Sequence, residues 1–162
     1  ICGFVLPDAG KILVRGKQVG KDVDIPQGIG IIIEHPGFLR DYSGFQNLKL
    51  LARLQKKITD EKIKESIRLV GLDPEDKKKV GKFSLGMRQR LGIAQAIMEN
   101  QSILILDEPM NGLDNKGVDE IRKLILDLKK EGRSIILASH NREDIQILCD
   151  QVYEMDNGKI IG

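Results

Sequence analysis

Apolar residues follow two rhythms along this chain. The first is the unbroken run. Residues 28–34 (Gly-Ile-Gly-Ile-Ile-Ile-Glu), 103–106 and 134–138 are continuous, largely β-branched stretches. Such runs mark strands buried on both faces of a parallel sheet. The second rhythm is helical. Thr59 is placed as an N-cap, Ile63, Ile67 and Val70 share one face, and Gly71 supplies the stop. Lys62 stands where a capping box would place an acid, so the box is incomplete. Residues 45–54 read as a shorter amphipathic helix. Ser84 caps a helix with Leu91, Ala94 and Ile97 on one stripe. Residues 116–131 form another, burying Val118, Ile121, Ile125 and Leu128 and ending at Gly132. Residues 142–149 make a last helix. Residues 152–155 and 159–161 pair across Asn157-Gly158, a two-residue hairpin signal.

The opening is less regular. Residues 1–6 are apolar, read as the end of a helix, and stop at the breaker cluster Pro7-Asp8-Ala9-Gly10. Residues 11–15 read as a short strand ending at Gly16. Strands alternating with helices imply an α/β fold with a parallel sheet. The helical stretch from 36 to 98 interrupts that alternation. The expected organisation is an α/β core of residues 1–35 and 99–162, with residues 36–98 as an inserted helical subdomain.

Composition narrows the function classes. Of 162 residues, 41% are hydrophobic and 31% charged, a globular balance. The formal net charge of +2 and the aromatic content of 4%, with no Trp, give no footprint for nucleic acid. Cys2 and Cys149 cannot build a disulfide framework. No apolar run approaches the ~20 residues of a membrane span. The Lys77-Lys78-Lys79 run reads as a solvated loop.

Two stretches carry chemistry. At 103–109 an apolar strand runs into Asp107-Glu108-Pro109. Parallel sheets bind ligands at the carboxyl ends of their strands. The first carboxylate there can hold Mg²⁺, and the second can polarise a water for attack on a γ-phosphate. The plain alternative is an acidic turn. At 82–91, Ser84 at an N-cap and Gly86 in the first turn leave helix N–H groups open to an anion. The plain alternative is an ordinary capped helix.

Their order decides between these readings. Ser-x-Gly-x-x-Gln-Arg (84–90), an apolar strand ending Asp-Glu-Pro, then Asn111-Gly112-Leu113-Asp114, then Ser139-His140 after another strand, resembles the ATP-binding domain of ABC transporters over essentially the whole chain. The resemblance implies a P-loop NTPase (RecA-like) core, ATP and Mg²⁺ as cofactors, and ATP hydrolysis coupled to transport. It implies Asp107 for Mg²⁺, Glu108 as the catalytic glutamate and His140 as the switch histidine at the γ-phosphate. Ser84 and Gly86 match the signature that touches ATP held by a partner cassette, and Asp114 matches the D-loop aspartate. The implied partners are a second ABC cassette, identical or not, and a transmembrane permease subunit, with no nucleic acid. The implied location is the cytoplasmic face of the cell membrane.

Three departures from the family pattern stand out. Phe83-Ser84-Leu85-Gly86-Met87 replaces the common Leu-Ser-Gly-Gly-Gln, keeping the Ser and the second Gly. Glu34 stands where a Q-loop glutamine is expected, and its carboxylate could reach the nucleotide or Mg²⁺. With His35-Pro36-Gly37-Phe38 after it, Glu34 resembles the subgroup that exports peptide antibiotics, lantibiotics or bacitracin-like drugs. Finally, no Gly-x-x-x-x-Gly-Lys-Ser/Thr is present. The phosphate-binding strand, loop and helix are therefore expected upstream of Ile1, a unit of roughly 30 residues or more. Residues 1–162 alone are expected to hydrolyse no ATP.

Spacing separates the rivals. Glu34 to Ser84 is 50 residues, enough for a compact helical lobe and too short for the long coiled coils of chromosome-maintenance ATPases. A cassette of a soluble translation factor, or a non-hydrolysing interaction module, are the remaining alternatives to a transporter subunit.

Overall fold

A computed structural model describes residues 1–33, 36–55 and 58–162. Three strands form its central sheet: β3 (Ile29–Ile32), β4 (Ile103–Asp107) and β5 (Ser134–Ala138). All pairs are parallel and β4 lies in the middle. The register sets Ile32 beside Leu106, and Asp107 beside Ala138. Two antiparallel ladders flank the sheet in sequence, β1 (Leu13–Val14) with β2 (Lys17–Gln18), and β6 (Met155–Asp156) with β7 (Lys159–Ile160).

The helices are α1 (Gly44–Gln55), α2 (Asp60–Leu69), α3 (Leu85–Ile97), α4 (Asn115–Lys130) and α5 (Arg142–Leu148). A single 3₁₀ turn at Val80–Lys82 precedes α3. The caps explain the boundaries. Thr59, Ser84 and Asp114 each accept a first-turn N–H through the side chain, from Lys62, Met87 and Gly117. Asn141 does the same at α5, accepting from Glu143 and Asp144. Each such cap is worth about 1 kcal/mol.

One apolar cluster runs through the molecule. Leu48, Ile63, Ile67 and Val70 from the α1–α2 region meet Leu91 and Ile93 of α3, Leu104 and Leu106 of β4, and Ile121 and Ile125 of α4. Burying a Leu or Ile this fully contributes about 1.5–3 kcal/mol. The tightest seam is between β3 and α3. A β-carbon on Gly30 would sit 1.9 Å from the Ala96 carbonyl oxygen, so only glycine lets strand and helix approach this closely. On α4 the buried stripe is Gly117, Ile121, Leu124, Ile125 and Leu128, with Val118 at its half-buried margin.

Two expectations change. Residues 1–6 form no helix. The backbone turns left-handed at Gly3 (φ 84°), which a right-handed helix cannot contain. Phe4, Val5 and Leu6 lie exposed. The strand expected at 11–15 shrinks to two residues and turns back through Arg15 and Gly16 to pair with β2. The 157–158 hairpin forms as expected, with both turn residues at positive φ, although its first strand begins at Met155 rather than 152. No helix among the described residues is long and apolar enough to cross a membrane.

Candidate functional site

The parallel register builds the site. Because Asp107 of β4 pairs with Ala138 of β5, both strands end at one level. The residues that follow them, Glu108 and Ser139-His140, therefore emerge side by side although 32 positions separate Glu108 from His140. Glu108 continues the ladder for one bond, its N–H donating to the Ala138 carbonyl at 2.9 Å. Its own backbone then turns left-handed, with φ 45°. A side chain other than glycine in that region costs on the order of 1–3 kcal/mol and persists only where surrounding contacts hold it. Those contacts are present. The Glu108 carbonyl accepts from the Asn111 N–H at 3.1 Å and from Gln89 Nε2 at 3.2 Å.

The Glu108 carboxylate meets His140 twice. Oε1 accepts the His140 main-chain N–H at 2.9 Å and lies 2.7 Å from Nδ1. Glu108 is partly sheltered, its side chain 29% exposed, whereas the His140 ring is 82% exposed. The hydrogen bond and negative charge of Glu108 raise the His140 pKa above its ordinary value, and Asp144 adds to the effect. Beneath them, Asp107 sits half-buried at the strand end with no side-chain hydrogen-bond partner among the described residues. No three metal-ligating side chains converge among the described residues. A single free carboxylate nevertheless suits Mg²⁺, which keeps most of its waters and takes one or two carboxylates together with phosphate oxygens. Glu34, the other expected ligand, lies outside the described residues.

The remaining expected site residues gather elsewhere. Ser84 and Gly86 at the start of α3 and Asp114 at the start of α4 line one open cleft of about 680 Å³, together with Met87, Arg90 and Gly112. A β-carbon on Gly86 would lie 2.6 Å from the Gly112 carbonyl oxygen, so the glycine lets the α3 entrance close on the 111–113 loop. The α3 first turn contains no acid, leaving the positive end of the helix unneutralised. The Asp114 carboxylate is engaged as the α4 N-cap. Asp107, Glu108 and His140 do not line this cleft. The expected residues thus fall into two groups, a sheet-end group and an α3–α4 group.

Sequence reading missed three residues that hold these groups in place. Gln89 is one, joining α3 to the Glu108 main chain. Arg90 is another. It donates to the Val70 carbonyl at the end of α2 and to the Glu120 carboxylate on α4, at 2.6 and 2.7 Å. The third is Arg122, whose Nε donates to the buried Asp144 at 2.7 Å and whose Nη2 meets Glu143 at 2.8 Å. That pairing fixes α5, and with it the residue before its cap, His140. Gln89 and Arg90 are the Gln-Arg of the Ser-x-Gly-x-x-Gln-Arg motif, whose order carried the resemblance without giving these two side chains a role, and Arg122 lies in no motif.

Comparison with known proteins gives the family and the fold. The ABC transporter family profile matches residues 1–111. An uncharacterized ABC transporter ATP-binding protein of Bacillus subtilis is 46% identical over 160 residues, spanning 99% of this chain and 73% of that protein. The bacitracin transport ATP-binding protein of Bacillus licheniformis is 41% identical over 163 residues, spanning 99% of this chain and 53% of that protein. The chain thus covers about half the length of several relatives it matches. Among solved structures, an ATP-binding cassette in a dimeric post-hydrolysis state bound to ADP and Pi superposes with a TM-score of 0.78 at 18% identity. The superposition covers 91% of this chain and 69% of that one, and it shows a common fold. The chain belongs to the ABC transporter family and has the fold of its ATP-binding cassette.

Proposed function

We propose that this chain is part of the ATP-hydrolysing subunit of a membrane transporter, and that the cargo is a peptide antibiotic of the bacitracin or lantibiotic kind moved outward. The cargo reading rests on the likeness to the bacitracin transport protein and on Glu34-His35-Pro36-Gly37. In this reading the protein works peripherally at the cytoplasmic face of the membrane. Residues 36–98 act as the helical lobe, docked on a transmembrane permease.

The observation that carries the proposal is the Glu108–His140 pair at the carboxyl end of the sheet. Glu108 is the base that orients a water and takes its proton. Its carboxylate is held by His140 rather than left to rotate. His140, whose pKa the Glu108 carboxylate raises, presents its ring where a γ-phosphate would gather negative charge. Asp107 and Glu34 would hold Mg²⁺, which would neutralise negative charge on the phosphate oxygens. Ser84 and Gly86 present helix N–H groups to the nucleotide of a second cassette, with Asp114 beside them at the dimer surface. Two cassettes close head to tail, so that each site joins the sheet-end group of one copy to the α3–α4 group of the other. Residues 1–162 contain no Gly-x-x-x-x-Gly-Lys-Ser/Thr to cradle the β- and γ-phosphates, and by themselves they are inactive.

The test is Glu108→Gln in the full-length protein. ATP binding is retained, turnover falls by about 10²-fold or more, and the nucleotide-bound dimer accumulates in light scattering. Unchanged hydrolysis would refute the assignment of the base.

A further inference from the structure

Gln89 lies on α3, five residues beyond Ser84, and is only 2% exposed. A primary amide is buried this deeply at a cost unless it is hydrogen-bonded. Its partner is the main-chain carbonyl of Glu108, reached by Nε2 at 3.2 Å. Glu108 is also the residue whose backbone stands at φ 45°, a conformation that glutamate rarely adopts. Three hydrogen bonds hold the main chain of that residue, one through its N–H and two through its carbonyl. Two are main-chain bonds, to Ala138 and from Asn111. The third comes from Gln89, and it is the one that reaches across from another helix. That helix carries Ser84 and Gly86 at its first turn.

We propose that Gln89 is a positioning residue for Glu108. It pins the Glu108 peptide in its left-handed conformation and so sets where the carboxylate points. It also ties that peptide to α3, so a displacement of the helix entrance is felt at the base on the same chain. The proposal rests on Glu108 being the base of ATP hydrolysis. It adds the contact that keeps the base in place and links it to the α3–α4 cleft.

The experiment uses the full-length protein in its transporter complex, with ATP turnover measured against ATP concentration. Gln89→Met keeps the volume and removes the donor. The expected result is a fall in kcat of about tenfold with KM for ATP unchanged within about twofold. Gln89→Glu supplies a test that a purely structural role would not pass. Ionised, its carboxylate opposes the Glu108 carbonyl, while protonated it donates in the amide's place. Its activity relative to the unmodified protein therefore rises as pH falls, while circular dichroism shows it folded throughout. An unchanged kcat in Gln89→Met, a loss matched by an equal loss of folded protein, or a flat relative pH profile in Gln89→Glu overturns the proposal. Glu108→Gln run alongside separates the two readings. If it abolishes turnover while Gln89→Met does not, positioning fails and the base stands. If it leaves turnover intact, the base fails and the positioning role falls with it.

Discussion

His140 shows how much one neighbour sets the behaviour of an exposed residue. Its ring is in water, yet the Glu108 carboxylate 2.7 Å away holds its pKa above 6.5. The sign follows from which form gains the partner. The folded value is raised, so the contribution of the pair to folding is complete below about pH 6.5 and fades as pH rises through the folded value. Replacing Glu108 by Gln removes the charge and weakens the hydrogen bond. An NMR titration of the His140 ring is expected to show its midpoint moving down toward 6.5 in Glu108→Gln. A midpoint that stays put would mean that Glu108 is not the cause. At this scale the sequence was legible where chemistry follows a strand. The apolar run into Asp107-Glu108 announces both carboxylates, and Ser139-His140 follows its strand in the same way. Gln89 was legible as a member of the 84–90 motif, but its contact was not. Its partner is a carbonyl 19 positions away, and any residue at 108 would present that same atom. Nor does sequence announce the positive φ at Glu108, which belongs to the few residues that tolerate it only under constraint.

Among the elements, α5 depends most on its neighbour. Seven residues make too short a helix to be stable alone. It is anchored to α4 by Arg122, whose guanidinium meets Asp144, itself 1% exposed, and the more exposed Glu143. Removing the cation would strand a buried carboxylate. Arg122→Met is therefore expected to destabilise the protein by about 3–5 kcal/mol, seen as a lower denaturation midpoint. Arg122→Met combined with Asp144→Leu is expected to recover most of the loss, because neither buried charge remains. Equal melting of the single and double variants would argue against this account. The helices themselves were readable because their signals are local. Caps at Thr59 and Ser84 and stripes at i, i+4, i+7 need no knowledge of the fold, whereas the cap at Asp114 came only with the structure. The β1–β2 ladder was less readable. Lys17–Gln18 has no apolar alternation and is held by main-chain pairing and by the Asp22 carboxylate, which accepts the Gln18 N–H at 2.8 Å. Residues 1–6 misled because a short apolar run carries no period and does not announce the left-handed turn at Gly3.

On the scale of the whole molecule, the two groups of site residues occupy separate places. Asp107, Glu108 and His140 stand at the carboxyl end of the sheet, while Ser84, Gly86 and Asp114 line the cleft between α3 and α4. A head-to-tail pair of copies would build each of its two sites from one group of each kind. The consequence is genetic. Two alleles that are each inactive in homodimers, Glu108→Gln and one that blocks the α3 entrance such as Ser84→Arg, fail for different reasons. In a mixed dimer both lesions fall into the same site. The other site receives an intact Glu108 from one allele and an intact Ser84 from the other. Co-expression is therefore expected to restore about half of the wild-type turnover per mixed dimer when the sites work independently, and less when they must fire together. Purified mixed dimers carrying different affinity tags allow the measurement. Mixed dimers as dead as the parents would mean either that both groups serve one chain's own site or that the two sites cannot act apart. Two Glu108→Gln chains offer the contrast, since no pairing of that allele with itself leaves a complete site.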